Sequence, residues 1–129
     1  MRMRKIAVID DDDVFQLIIR KQIEMNNFDY EILNFSNGQD AINFLNQNID
    51  NRNLLPDLIM LDVNMPIKDG WEFLEEYQLL NDEIKSSISL YMVTSSVIQS
   101  DIDKARKDEN ILAFISKPIT NKQLKEMLE

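Results

Sequence analysis

Five short apolar runs alternate along the chain with longer stretches whose apolar residues recur at helical spacing. The runs are Ile6 to Ile9, Tyr30 to Phe35, Leu58 to Leu61, Ile88 to Val93 and Ile111 to Ile115, all of strand length. After the first, Val14, Leu17, Ile18 and Met25, with Phe15 and Ile19 beside them, predict one wide inward helical face. That helix leaves Arg20, Lys21 and Glu24 outside and ends at Asn26-Asn27. Ser36-Asn37-Gly38-Gln39 reads as a capping box opening a second helix, with Ala41, Ile42, Leu45 and Ile49 inward. Asn46 to Pro56, rich in Asn and Asp, reads as a polar surface loop. Asp69 and Glu72 have box-like spacing ahead of Phe73, Leu74, Tyr77 and Leu80. Ser96 with Gln99 predicts the cap of a fourth helix marked by Ile98, Ile102 and Ala105, its other face carrying Asp101, Lys104, Lys107 and Asp108. Thr120 and Gln123 cap a last helix with Leu124, Met127 and Leu128 inward.

A strand followed by a helix, five times over, implies right-handed crossovers and a parallel sheet covered on both faces. The predicted class is α/β, a doubly wound (βα)5 domain filling residues 1–129, with no output domain after it. In such sheets ligands bind outside the carboxyl ends of the strands. Asp10 and Asp11, Asp62, Thr94 and Lys117 each close their own apolar run, so all are expected at that one edge.

Composition narrows the chemistry. The net charge is -9 and the basic residues are dispersed, which argues against nucleic acid as a direct ligand. Without cysteine there is no disulfide framework or thiol catalysis. Without histidine there is no Ser/His/Asp hydrolysis, no His general base and no phosphohistidine on this chain. Met1-Arg2-Met3-Arg4-Lys5 has the charge of a signal peptide but is followed by only four apolar residues before the aspartates. No apolar run reaches membrane-spanning length, and the chain is expected to be cytoplasmic without membrane insertion.

Carboxylate, hydroxyl and amine remain. Two unit charges about 4 Å apart repel by roughly 4 kcal/mol at an effective dielectric near 20, so carboxylates gathered at one edge require a cation. Oxygen ligands alone select Mg2+, Mn2+ or Ca2+, and a site that must also admit phosphate oxygens favours Mg2+. Lys117 adds a fixed positive charge, Thr94 a hydroxyl donor, and Asp62 a nucleophile able to form an aspartyl phosphate. Each piece alone has an ordinary structural reading: Asp12 and Asp13 are assigned to capping and dipole-favouring charge, one or other of them being the cap, and Asp62, Thr94 and Lys117 could each simply form a turn or cap. Their joint placement on four strand ends is what singles them out.

Ile9-Asp10-Asp11, Leu61-Asp62-Val63-Asn64-Met65-Pro66 with Asp69-Gly70, Met92-Val93-Thr94-Ser95 and Ser116-Lys117-Pro118 together resemble the signature of the response-regulator receiver domain of two-component signalling. The likeness runs from about Lys5 to Leu128 and is closest to the stand-alone, chemotaxis-regulator-like members. It implies a flavodoxin-like sheet of order 2-1-3-4-5. Asp62 would be the phospho-acceptor, served by a sensor histidine kinase, a histidine phosphotransfer protein or a small acyl phosphate. Metal ligands would be Asp10, Asp11, Asp62 and the Asn64 backbone carbonyl, holding Mg2+ or Mn2+. Thr94 and Phe114 would be the switch pair, Lys117 would pair with the phosphoryl group, and Pro118 would hold the Lys117 turn, typically through a cis bond. Output would leave through the fourth helix, fifth strand and last helix toward an unidentified protein, with Val97, Asp101, Lys104 and Lys122 as contacts. The resemblance further implies a monomer that can dimerise once phosphorylated, and no enzyme beyond self-catalysed gain and loss of phosphate. Two rival readings are a haloacid-dehalogenase-like phosphatase using Asp10 and Asp12, and a phosphate-independent receiver-like scaffold. The first lacks a further acidic pair after Lys117 other than Glu126 and Glu129 and leaves Asp62 unused; the second usually lacks a residue that is present here.

Overall fold

The computed structural model describes residues 3–96 and 98–129. Met1, Arg2 and Val97, the last expected as an output contact, lie outside the described residues. The elements in order are β1 (Arg4–Ile9), α1 (Asp13–Met25), β2 (Tyr30–Phe35), α2 (Gly38–Gln47), β3 (Leu58–Leu61), α3 (Gly70–Tyr77), α4 (Asp82–Ser87), β4 (Ser89–Thr94), α5 (Gln99–Lys107), β5 (Ile111–Ser116) and α6 (Asn121–Leu128). All strand pairs are parallel and the sheet order is β2-β1-β3-β4-β5. This is the doubly wound topology implied above.

Because both faces are covered, β3 is buried at all four positions, as an uninterrupted apolar strand must be. One core cluster joins Ala7, Ile9, Ile59 and Leu61 to α2 and α3. The other joins Ile6, Val8, Leu58 and Met60 to α1 and α6. Alternate residues of the same two strands therefore serve opposite cores, which fixes the register rigidly.

Helix α1 departs from its expected face. Phe15, Ile19 and Ile23 are buried, whereas Val14, Leu17, Ile18 and Met25 are exposed. The helix carries two apolar stripes, so periodicity alone cannot choose between them. The phase is set by Asp12, whose carboxylate caps Val14 N and Phe15 N, and by Gln16, whose Nε2 donates to the carbonyls of Val8, Asp10 and Phe35.

Other local differences have similar causes. Asn37, not Ser36, caps α2 by accepting from Asp40 N at 2.8 Å, and Gln39 instead donates to Asn43. The segment from Asn46 to Pro56 is not wholly surface: Leu55 is buried, and Arg52 pairs with Glu83. Helix α4 left no periodic signal because only Ile84 of its six residues is buried. The expected boxes Asp69/Glu72 and Thr120/Gln123 are both formed. Among the described residues no helix is long and apolar enough to cross a membrane.

The two faces of α1 give a direct test. Ile19→Ala should lower the unfolding free energy by about 2–5 kcal/mol, as for a methylene-rich side chain removed from a core. Ile18→Ala should change it by no more than about 0.5 kcal/mol. Urea unfolding of the two variants measures both.

Candidate functional site

Backbone hydrogen bonds continue past the ends of the central strands and set the site. Asp10 N donates to Phe35 O at 2.9 Å, and Asp62 N to Ile9 O at 3.0 Å, so both carboxylates rise side by side from neighbouring strands. Across the sheet, Thr94 pairs with Ser116 in register and Lys117 N donates to Thr94 O at 3.0 Å, bringing the lysine to the same edge. The Lys117–Pro118 peptide bond is cis. Helix α3 starts hard against this edge: Gly70 N donates to Val63 O at 2.8 Å, and a Cβ on Gly70 would run into the Asp62 carbonyl oxygen.

The charges are closely set and mostly out of water. Asp10 and Asp62 are buried and Asp11 is exposed. Lys117 Nζ lies 2.7 Å from Asp10 Oδ2 and 3.5 Å from Asp62 Oδ2. It also sits 4.4 Å from the centroid of the buried Phe15 ring, a cation-π contact that the sequence did not announce. Burial works against the Lys117 ammonium, but the Asp10 and Asp62 carboxylates outweigh it and its pKa is raised. Burial pushes the Asp10 carboxyl up to about 6, against the pull of Lys117 and the Asp12 N–H, with Asp62 adding to the rise.

Oxygen atoms of Asp10, Asp11 and Asp62 all lie within 4.8 Å of one another. Asp10 Oδ2 is held by the Lys117 ammonium alone among the described residues, at 2.7 Å. An all-oxygen donor set with one carboxylate oxygen left to an ion pair fits a hard divalent cation.

The two switch candidates differ in burial. Thr94 is fully buried and its Oγ1 accepts from Ser96 N at 3.2 Å. Phe114 is half-buried against the core on the α2/α3 side. Ser96 does not cap α5: the N-cap is Ile98, which forms no side-chain cap bond, and the Ser96 hydroxyl donates to Asp101 at 2.7 Å. Asp101 also accepts from Trp71 Nε1 at 3.0 Å, and Lys104 lies over the Trp71 ring. Of the expected output contacts, Asp101 and Lys104 thus have partners within the fold, though Lys104 stays exposed, as Lys122 is. Asn64 follows Asp62 in an exposed loop, where Lys68 N donates to Pro66 O at 2.8 Å and Ile67 takes a φ of 69°. A β-branched residue in that left-handed region is strained.

Residues 6–129 match the response regulator receiver domain. The chain belongs to that family. The computed fold superposes on a two-component response regulator from Cytophaga hutchinsonii with a TM-score of 0.85 and 27% identity, covering 98% of this chain and 95% of that one. Response regulator Rcp1 of Synechocystis sp. is 27% identical over 125 residues, 96% of this chain and 83% of Rcp1. The Mn(2+)-bound form of Rcp1 gives a TM-score of 0.76 at 26% identity, over 97% and 88% of the two chains. Hybrid signal transduction histidine kinase I of Dictyostelium discoideum is 26% identical over 97% of this chain, which spans only 7% of that protein. Receiver domains are phospho-accepting signalling switches of two-component systems rather than metabolic enzymes. Neither the phosphatase reading nor the phosphate-independent scaffold gains support from these matches.

The raised Asp10 pKa has a measurable consequence. The folded state holds a proton on Asp10 more tightly than the unfolded chain does, so stability of the metal-free protein falls as pH rises from 3.8 to about 6. The penalty then persists at neutral pH, on the order of 3 kcal/mol. In chelator at pH 7, Asp10→Asn should therefore raise the melting temperature, with little gain at pH 4. A variant that melts no higher than the parent at pH 7 would contradict this account.

Proposed function

We propose that this receiver domain accepts a phosphoryl group on Asp62 from the phosphohistidine of a sensor kinase or phosphotransfer protein. The observation that carries the reading is the buried Asp62 carboxylate, set 3.5 Å from the Lys117 ammonium and beside the Asp10 and Asp11 carboxylates. An Asp62 oxygen attacks phosphorus; the P–N bond of the donor, or the P–O bond of a small acyl phosphate, breaks as the acyl phosphate forms. The electron pair leaves on the imidazole or carboxylate, which takes up a proton as its basicity requires.

Lys117, already between the two carboxylates, offers charge to the arriving phosphoryl oxygens, and Thr94 offers a hydroxyl once it leaves Ser96 N. Asp10, Asp11, Asp62 and the Asn64 carbonyl would hold a divalent cation, Mg2+ or Mn2+. Bound there, it would neutralise charge on the transferring group. Loss of the phosphoryl group to water would be self-catalysed at the same residues.

The surface around Asp11 suits a protein donor. Val14 is 64% exposed, Leu17 53% and Ile18 46%, and together they form an apolar strip on α1 next to the acidic edge. On the output side, β5 and α6 present the exposed Leu112 and Lys122, with Phe114 half-buried beside them. Phosphorylation would bias one of two arrangements of this face toward a protein partner in the cytoplasm, acting on a monomer able to dimerise.

Incubation with acetyl phosphate and Mg2+ tests this. Intact mass should show one added phosphoryl group that requires the cation and is absent from Asp62→Asn. Thr94→Ala should still be modified, since its hydroxyl serves the switch rather than the attack. A phosphoryl group that persists in Asp62→Asn would overturn the assignment.

A further inference from the structure

We propose that Asp101 is a positioning residue for the switch hydroxyl: held by Trp71 and holding Ser96, it weights the receiver toward its unphosphorylated arrangement. The inference rests on the phospho-acceptor reading above and adds the element that opposes it.

Ser96 has two donors and both are committed. Its N–H goes to Thr94 Oγ1 at 3.2 Å, and its hydroxyl proton to Asp101 Oδ2 at 2.7 Å. The second bond is short and charge-assisted, the stronger kind. Asp101 Oδ1 is in turn fixed by Trp71 Nε1 at 3.0 Å, and Lys104, close to one turn along α5, lies 5.0 Å from the centroid of the Trp71 ring. Trp71 is the second residue of α3, directly after Gly70, whose backbone is seated on Asp62 and Val63. The clamp is therefore anchored to the strand that carries the phospho-acceptor.

Thr94 and Ser96 are buried. When the Thr94 hydroxyl turns to a phosphoryl oxygen, it gives up the Ser96 N–H, and a buried donor left unpaired is costly. The Ser96 backbone must then move to find another acceptor. The tether from its side chain to Asp101 opposes that movement. Breaking the clamp is consequently part of switching, and each of its bonds stabilises only the resting arrangement. Removing one should raise the population of the activated arrangement and tighten any ligand that selects it.

The test uses beryllofluoride with Mg2+, a phosphoryl mimic that binds without turnover, titrated calorimetrically into the parent protein, Trp71→Phe and Asp101→Asn. Trp71→Phe keeps an aromatic ring and removes the N–H. Asp101→Asn keeps the shape and removes the charge. Both should bind on the order of tenfold more tightly than the parent. The double variant should bind no tighter than Asp101→Asn, because both changes act on one carboxylate. In the parent, fluorescence of Trp71, the only tryptophan, should shift on saturation. A merely structural role would weaken binding instead. Should Asp101→Asn fail to fold, Trp71→Phe decides alone. Unchanged or weaker affinity in folded Trp71→Phe overturns the inference. A parent protein with no saturable binding dependent on Asp62 overturns the phospho-acceptor reading and this inference with it.

Discussion

The Lys117 ammonium, 2.7 Å from Asp10 and 3.5 Å from Asp62, is the contact on which the rest of the site depends. Two carboxylates cannot be brought together out of water without an opposite charge, and removing that charge would leave both buried and unpaired. Lysine 117 reaches them because β5 is in register with β4 up to Ser116, and because the Phe15 ring closes the remaining side of its ammonium. Phe15 can do this only because α1 is phased by Asp12 and Gln16. A single ion triad thus makes demands on three strands and a helix.

The two cores answer those demands. Alternate residues of β1 and β3 pack into opposite clusters, so a one-residue slip of either strand would swap the two sets between cores shaped for different side chains. That rigidity holds Asp10 and Asp62 at fixed heights. On the proposed switching account, what moves is the Thr94 side chain at the end of β4, the Ser96 backbone and the Asp101 contact. A fixed set of charges and a movable hydroxyl are what a switch needs, since a charge that moved with the hydroxyl would blur the two states.

Much of this was legible from the residues. The strands and their order of appearance followed from Ile6 to Ile9, Leu58 to Leu61 and the other apolar runs, and Asp10, Asp11, Asp62, Thr94 and Lys117 were marked by closing those runs. The strand order and the residue roles came from resemblance, because periodicity says nothing about which strands are neighbours. What escaped has physical causes. Val14, Leu17 and Ile18 are as apolar as Phe15 and Ile19, and only a side-chain hook from Gln16 to three carbonyls chooses between the stripes. Ser96 and Gln99 have the spacing of a capping box, yet the helix starts later, with Ile98 at its cap, and the Ser96 hydroxyl donates to Asp101 while accepting from Ile98 N. Trp71 and Asp101 stand 30 positions apart on different helices, a pairing that no local pattern encodes.

The unsatisfied features near Asp62 bear on function independently of any resemblance. Asp10 is ionised at neutral pH only against its burial, and Ile67 keeps a strained φ in the loop that follows Asp62. Each costs folding free energy, and each would be removed by an ordinary substitution such as Asn at position 10 or Gly at position 67. A well-packed interior tolerates such features where they serve binding or chemistry. Three carboxylates against one ammonium leave the site negative, so adding a phosphoryl group there is unfavourable unless a cation comes too. The same imbalance that burdens the carboxylate cluster therefore makes cation and phosphoryl binding mutually dependent, and a site built this way responds to phosphate only when both are present.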